Sequence, residues 1–284
     1  MRTFGVLTAF TLALGIAGCG ASDGSDPNAA AAEEDLSAGG PFVRSDQVHL
    51  GRAPRNTLDL QKSVADDFSK PSATADAIVA ELKAKPTPYP VYLGNIHTWV
   101  YDVDPTYRAN VHTLASRVHD GAGVRVLFYF EERNARNGPT PVSVTHAAQL
   151  RALSHVATLL MATYVTGAMA KDAVVADVRH FHDWYGGKLG VALGDMLIDV
   201  DTSQTSSAAY YGTRGDLARF NDGIGWALDA AYAMHFGGFH TMGNTGDGYG
   251  TKVAADSTYA ALDAAWAALE AAHPKRAFEG VRPR

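Results

Sequence analysis

The sequence predicts a single α/β domain in which strands and helices alternate around a parallel sheet. Three observations lead there. Apolar runs of strand length recur along the chain and are close to continuous, as strands covered on both faces require. Between them lie segments with helical spacing, and alternation of this kind places helices against a parallel sheet. The 284 residues, 46% hydrophobic and 19% charged, supply enough apolar material for one large core. The predicted architecture is a TIM-like (β/α) barrel, irregular or incomplete if early strands are missing, with an open doubly wound parallel sheet as the competing arrangement.

The elements follow in order. Residues 1–18 carry Arg2, an uncharged apolar run from Phe4 to Ile16 and small residues before Cys19, the pattern of a secretory leader. The run is too short to span a membrane. Ile16-Ala17-Gly18-Cys19 resembles the bacterial lipobox, which implies that Cys19 becomes a lipidated N-terminus anchored at the cell envelope. Residues 19–40, rich in Gly, Ala, Ser and Asp, have little to bury and read as a flexible tether. Gly20-Ala21-Ser22-Asp23-Gly24 formally matches a nucleophile elbow, but that motif needs a strand before it and a helix after it, and here it has neither.

Residues 41–284 form the expected domain, close to the roughly 250 residues of one barrel. A strand is expected over Phe42–Leu50 and a helix over Ala75–Leu82, with Thr74 as N-cap. Tyr89–Ile96 is strand-like and Pro105–His119 helical. Val124–Phe130 is the clearest strand of the chain. A helix over Val144–Val156 and an apolar run over Leu159–Val165 follow. Lys171–Tyr185 places Val174, Val178, Phe181 and Tyr185 on one helical face. Asp195–Asp201 reads as a buried strand ending in carboxylates. A helix from Asp216 to Ala233, a strand over Phe236–Met242 and a helix over Ser257–Ala272 complete the pattern.

Composition narrows the function. A formal net charge of −6, with 24 Lys and Arg against 30 Asp and Glu, gives no footprint for nucleic acid. The single cysteine excludes an intrachain disulfide framework and a cysteine-cluster metal site. Gly246-Asp247-Gly248-Tyr249-Gly250 lacks the spacing and context of a dinucleotide fingerprint, so no nucleotide cofactor is expected.

Chemistry is expected where parallel strands end, because loops converge there. Those ends carry His97, Trp99, Tyr101 and Asp102; Glu131, Glu132 and Arg133; Tyr164 and Thr166; and Asp199 and Asp201. Positions 199 and 201 lie two apart on a strand and share a face. Close carboxylates raise one another's proton affinity, which lets an acid persist beside a base. Paired acids with neighbouring aromatics suit glycoside hydrolysis: Asp199, Asp201 and Glu131 as catalytic carboxylates, His97, Trp99, Tyr101, Tyr164 and His240 as substrate-binding groups. His180 and His182 diverge by about 200° on a helix and cannot share an ion from there. His235 and His240 lack a third ligand at diagnostic spacing, so no metal is assigned.

The stretch from Tyr89 to Tyr211 resembles the spherulin-4 family. The matching pieces are Tyr89-Pro90-Val91-Tyr92 with Trp99, Thr163-Tyr164-Val165-Thr166, Asp183-Trp184-Tyr185, Met196-Leu197-Ile198-Asp199 and Tyr210-Tyr211. The resemblance implies a barrel acting on galactosamine-containing polysaccharide. It departs where the family's Asp-Glu pair would fall on Asp199 and Val200, leaving Asp201 to substitute, and where Glu131-Glu132 replaces an Asn-Pro turn. The expectation is an envelope-anchored glycoside hydrolase. The alternatives are a lipoprotein that binds a glycan or envelope partner without cleaving it, and a metal-dependent hydrolase using His97, His240 and a carboxylate.

Overall fold

The computed structural model describes residues 40–48, 58–59, 68–84, 91–133, 140–201, 216–243 and 252–280. The leader, Cys19, the tether, the Gly246–Gly250 loop and Tyr210-Tyr211 lie outside the described residues.

In chain order the elements are β1 (Phe42–Val48), β2 (Leu58–Asp59), α1 (Pro71–Ala84), β3 (Val91–His97), α2 (Thr98–Val103), α3 (Pro105–Ala122), β4 (Val126–Glu131), α4 (Ala147–Ser154) and β5 (Ala157–Thr163). Then come α5 (Lys171–Phe181), continued by a π-helical segment His182–Lys188, a short 3₁₀ turn at Leu193–Asp195, β6 (Met196–Asp201), α6 (Leu217–Ala233), β7 (Gly238–Gly243), α7 (Lys252–Ala272) and β8 (Phe278–Glu279). Among the described residues all strand pairings are parallel, in the order β2-β3-β4-β5-β6-β7-β1-β8.

Two features select the barrel over the doubly wound alternative. The strands β2 to β7 advance in one direction without a switch point, and the first strand, β1, pairs with β7, as the strand that closes a barrel does. The two faces also differ. Val126, Phe128, Phe130, Leu159, Met161, Met196, Ile198 and Phe239 belong to one buried core together with residues from helices such as Val111, Val178 and Ile224. Their strand neighbours Leu127, Tyr129, Leu160, Ala162 and Leu197, with Tyr164 just past β5, form a separate cluster without any helical residue. Helices therefore cover one face, and the other faces inward, where a doubly wound sheet would carry helices on both.

Local chemistry explains the helices. α3 starts at Asp104, whose side chain accepts from the backbone N–H groups of Thr106 and Tyr107 at 2.8 and 3.0 Å, with Pro105 at its first position. It stops at Gly123, which sits at φ 68° as a left-handed cap. Buried Val111, Leu114, Ala115 and Val118 repeat at three- and four-residue steps and face the sheet. Asp216 caps α6 in the same way through the Arg219 amide. Gly238 of β7 has no room for a side chain against β1: a Cβ there would come within 2.0 Å of the Val43 carbonyl oxygen.

The sequence reading of 171–185 as one α-helix changes after Phe181, where the chain widens into a π-helix. The two-residue strands β2 and β8 and the helix α2 had no expected counterpart. On the helix side, Arg44 is fully buried and is held by Asp46 at 2.8 Å and Asp263 at 2.7 Å. Burial opposes its charge, and the two carboxylates outweigh that and raise its pKa. Thr241 donates to Asp46, so this polar cluster ties β1, β7 and α7 together.

Candidate active site

The ladder registers place several of the expected residues on one row across the inner face. His97 pairs with Glu131, Ala162 with Asp199, Asp199 with His240, and His240 with Ser45. Phe130 pairs with Met161, so Glu131 falls beside Ala162. The row therefore reads His97, Glu131, Ala162, Asp199, His240, Ser45. Beneath it lies Asn95, Tyr129, Leu160, Leu197, Gly238, Val43, largely apolar. Stacked rows of inward side chains are the way a barrel interior is built.

Strand spacing of about 4.8 Å puts the Cα atoms of Glu131 and Asp199, two strands apart, roughly 10 Å from one another. Ala162 contributes only a methyl group between them. Glu131 lies at the end of β4 with its carboxylate 3.0 Å from His97 Nδ1, and the two side chains are 13% and 35% exposed. The His97 ring stacks on Trp99, with centroids 4.7 Å apart and planes at 26°, so the half-buried indole stands at the rim. Asp199 and His240 form the second acid–imidazole pair, at 3.7 Å, and both are completely buried. Burial pushes the His240 pKa down to about 3, so the ring is neutral near pH 7.

The remaining expected residues are placed as follows. Asp201 is one inner position beyond Asp199 on β6, and its side chain lies outside the described residues. Tyr164 is on the inner side but buried, accepting a hydrogen bond from the Tyr129 hydroxyl and donating to the Arg133 carbonyl, each at 3.2 Å. Tyr101 goes to the other side: it is fully buried in the helix-covered core, with its hydroxyl 2.7 Å from His112 Nε2. Burial raises its pKa well above that of an ordinary phenol, so the hydroxyl keeps its proton. A place for Tyr101 on a sugar platform is corrected by this position. It follows from the chain entering α2 directly after His97, which turns residue 101 back onto the sheet's outer face.

Asp102 and Glu132 also point away from the row. Burial pushes Asp102 up, but hydrogen bonds from His146 and Thr145 outweigh it and hold its pKa below the ordinary carboxylate range. Glu132 accepts from Tyr185 Oη at 2.5 Å and from His180 Nε2 at 2.9 Å. His182 pairs instead with Asp183 at 2.8 Å, so the two histidines do diverge. His235 is exposed at φ 63° behind α6. Among the described residues, no three His, Cys, Asp or Glu side chains are grouped to hold a metal ion.

Ser45, His180 and Tyr185 were missed as members of the site or its surroundings. For the last two, the signal available was the Glu131-Glu132 doublet: at a strand end one acid must face in and the other out, so the outward acid needs donors from a helix.

No protein-family model matches the sequence, and no curated protein does. Among solved structures the chain is similar to a chitinase from Chromobacterium violaceum, with 12% identity and a TM-score of 0.46 over 86% of this chain and 97% of that one. It is similar to a class V chitinase from Pseudomonas fluorescens, with 12% identity and a TM-score of 0.42 over 72% and 80%. A dihydropteroate synthase from Burkholderia cenocepacia also aligns, with 13% identity and a TM-score of 0.37 over 83% and 94%. Likenesses this distant carry no argument about chemistry.

Proposed function

We propose that the chain is an exported glycoside hydrolase, held at the bacterial cell envelope by lipid on Cys19, whose inner row acts on a polysaccharide through two carboxylates. The observation that carries this reading is the row itself: Glu131 and Asp199 share one face, two strands apart, with only Ala162 between them. Paired acids cleave glycosidic bonds at carboxyl separations of about 5 to 9.5 Å, and two acids on one inner face with Cα atoms roughly 10 Å apart are the setting for such a pair.

Glu131, partly exposed and beside His97, is the proton donor and acceptor; Asp199 supplies the charge that stabilises an oxocarbenium-like transition state; Asp201 is the nearest further acid on the same strand. Trp99 offers a face for a sugar ring. The spherulin-4 resemblance makes galactosamine-containing polymers the first substrates to try.

The complete burial of Asp199 favours a second reading, glycan binding without cleavage, because a covered carboxylate touches no substrate in this conformation. A panel of polysaccharides decides between them. Release of reducing ends by the parent and its loss in Glu131→Gln, with the thermal midpoint unchanged, supports hydrolysis. Saturable binding without any reducing ends sinks hydrolysis and leaves the binding reading. Anchoring is tested separately: Cys19→Ser moves the protein from the membrane fraction to the soluble one, and recovery in the membrane fraction overturns the lipid assignment.

A further inference from the structure

We propose that Tyr185 and His180, acting through Glu132, are positioning residues that determine which of the two adjacent acids at the end of β4 faces the inner row. The inference rests on the hydrolase reading only for its consequence in activity. Glu131 and Glu132 are chemically equivalent neighbours at the end of a strand, and side chains alternate between faces, so a one-residue slip exchanges them. The slip is easiest where the ladder runs out. On the β5 side the last pair is Phe130 with Met161, and on the β3 side it is His97 with Glu131. Past those pairs, Val142 N–H donates to the Glu132 carbonyl at 2.9 Å, a single backbone bond to a loop.

The outward acid supplies the missing constraint. Glu132 is 3% exposed, and its two oxygens are bound separately, Oε1 by the Tyr185 hydroxyl and Oε2 by His180 Nε2. Tyr185 is fully buried on the π-helical segment that continues α5, and burial together with the Glu132 charge raises its pKa well above that of an ordinary phenol, so it always has a proton to give. Ser143 Oγ lies 3.1 Å from the same His180 Nε2. One nitrogen shared by serine and carboxylate is not the relay of a hydrolytic triad, which uses both ring nitrogens. The cluster holds a carboxylate in place. Arg133 extends the hold, with two hydrogen bonds to Asp177 on α5 at 2.7 and 3.1 Å. On the other side the Thr98 hydroxyl lies between the carbonyls of Val142 and Glu131 and donates to the nearer, that of Val142.

The test reads side-chain direction without needing a substrate. Carbodiimide-driven amidation followed by peptide mass spectrometry, on the folded full-length protein, compares modification at Glu131 with modification at Glu132. In the parent, Glu131 reacts and Glu132 is protected. In Tyr185→Phe, and independently in His180→Gln, Glu132 modification rises at least fivefold relative to Glu131. Tyr101→Phe, which removes a different buried hydroxyl, leaves the ratio alone. An unchanged ratio in both site variants overturns the proposal. If Tyr185→Phe unfolds, modification rises at every carboxylate including Asp199, and His180→Gln then decides alone. Once a substrate is in hand, Tyr185→Phe lowers kcat at near-constant KM. A parent that releases no reducing ends refutes the hydrolase reading while the labelling ratio still tests the positioning.

Discussion

Two acid–imidazole pairs occupy the same row of the sheet, and depth separates them. His97 and Glu131 sit 3.0 Å apart at the end of β3 and β4, both reached by solvent. His240 and Asp199 sit 3.7 Å apart between β6 and β7, sealed from it. A solvent-reached pair can exchange protons with water or with a bound hydroxyl. The sealed pair cannot, and its imidazole stays neutral because burial penalises the charged form of the ring. On the proposed hydrolase reading, the solvent-reached pair suits proton transfer and the sealed pair a fixed electrostatic field beside it.

Asp199→Asn gives the largest effect on that division. It keeps the shape of the side chain and removes the charge, and glycan hydrolysis is expected to fall by about 10⁴-fold, with far-ultraviolet circular dichroism unchanged. Full activity in that variant would falsify the role given to the sealed pair. Glu131→Gln comes next. A positioned acid or base contributes about 10²–10⁴-fold, and the solvent-reached position lets water substitute in part, so a loss near 10²–10³-fold is expected in reducing-end assays. If Glu131→Gln costs more than Asp199→Asn, the two roles are reversed.

The sequence carried most of this fold in plain sight and only part of the site. β4, β5 and β6 are legible because strands covered on both sides must be apolar almost throughout, as Val126–Phe130 and Met196–Ile198 are. β2 and β8, at two residues each, are too short to show any period. Asp199, Glu131, His97 and His240 were found because polar groups at the ends of apolar strands stand out. That they share one row depends on register, and register between parallel strands joined by long crossovers leaves no local trace. Tyr101 was misplaced because an aromatic beside a candidate histidine looks the same whether the next turn sends it inward or back onto the core. Arg44, with an arginine's full charge in a buried strand, would have read as an exposed edge; its partners Asp46 and Asp263 are two and some two hundred residues away.

A third way to probe the sealed pair uses pH. The His240 pKa is about 3 in the folded protein against about 6.5 unfolded, so below pH 6.5 the unfolded chain binds a proton that the folded one refuses. Stability from this residue is therefore complete above about pH 6.5, is lost as pH falls toward 3, and changes no further below that. The loss is on the order of several kcal/mol, a ceiling set by a shift of this size. Urea unfolding of the parent and of His240→Gln between pH 7 and pH 4 checks it: the variant starts less stable and shows the shallower decline. Parallel declines would mean that the ring is charged or reached by water, and the contrast between the pairs would collapse.

The smallest effect is expected at the rim. Trp99 stacks on His97 from the start of α2 and is only half buried, so Trp99→Ala removes a platform without opening the core. Aromatic stacking is worth about 0.5–1.5 kcal/mol beyond the area it covers, which corresponds to a few-fold to about tenfold weaker glycan binding. Because the indole touches the outer pair and not the sealed one, KM should rise while kcat falls by less than about threefold. Trp99→Phe, which keeps a ring against His97, should restore most of the affinity. A kcat loss as large as that of Glu131→Gln would show instead that the stack fixes the His97 ring for proton transfer. In that case the rim would belong to the chemistry of the outer pair and not to substrate binding alone.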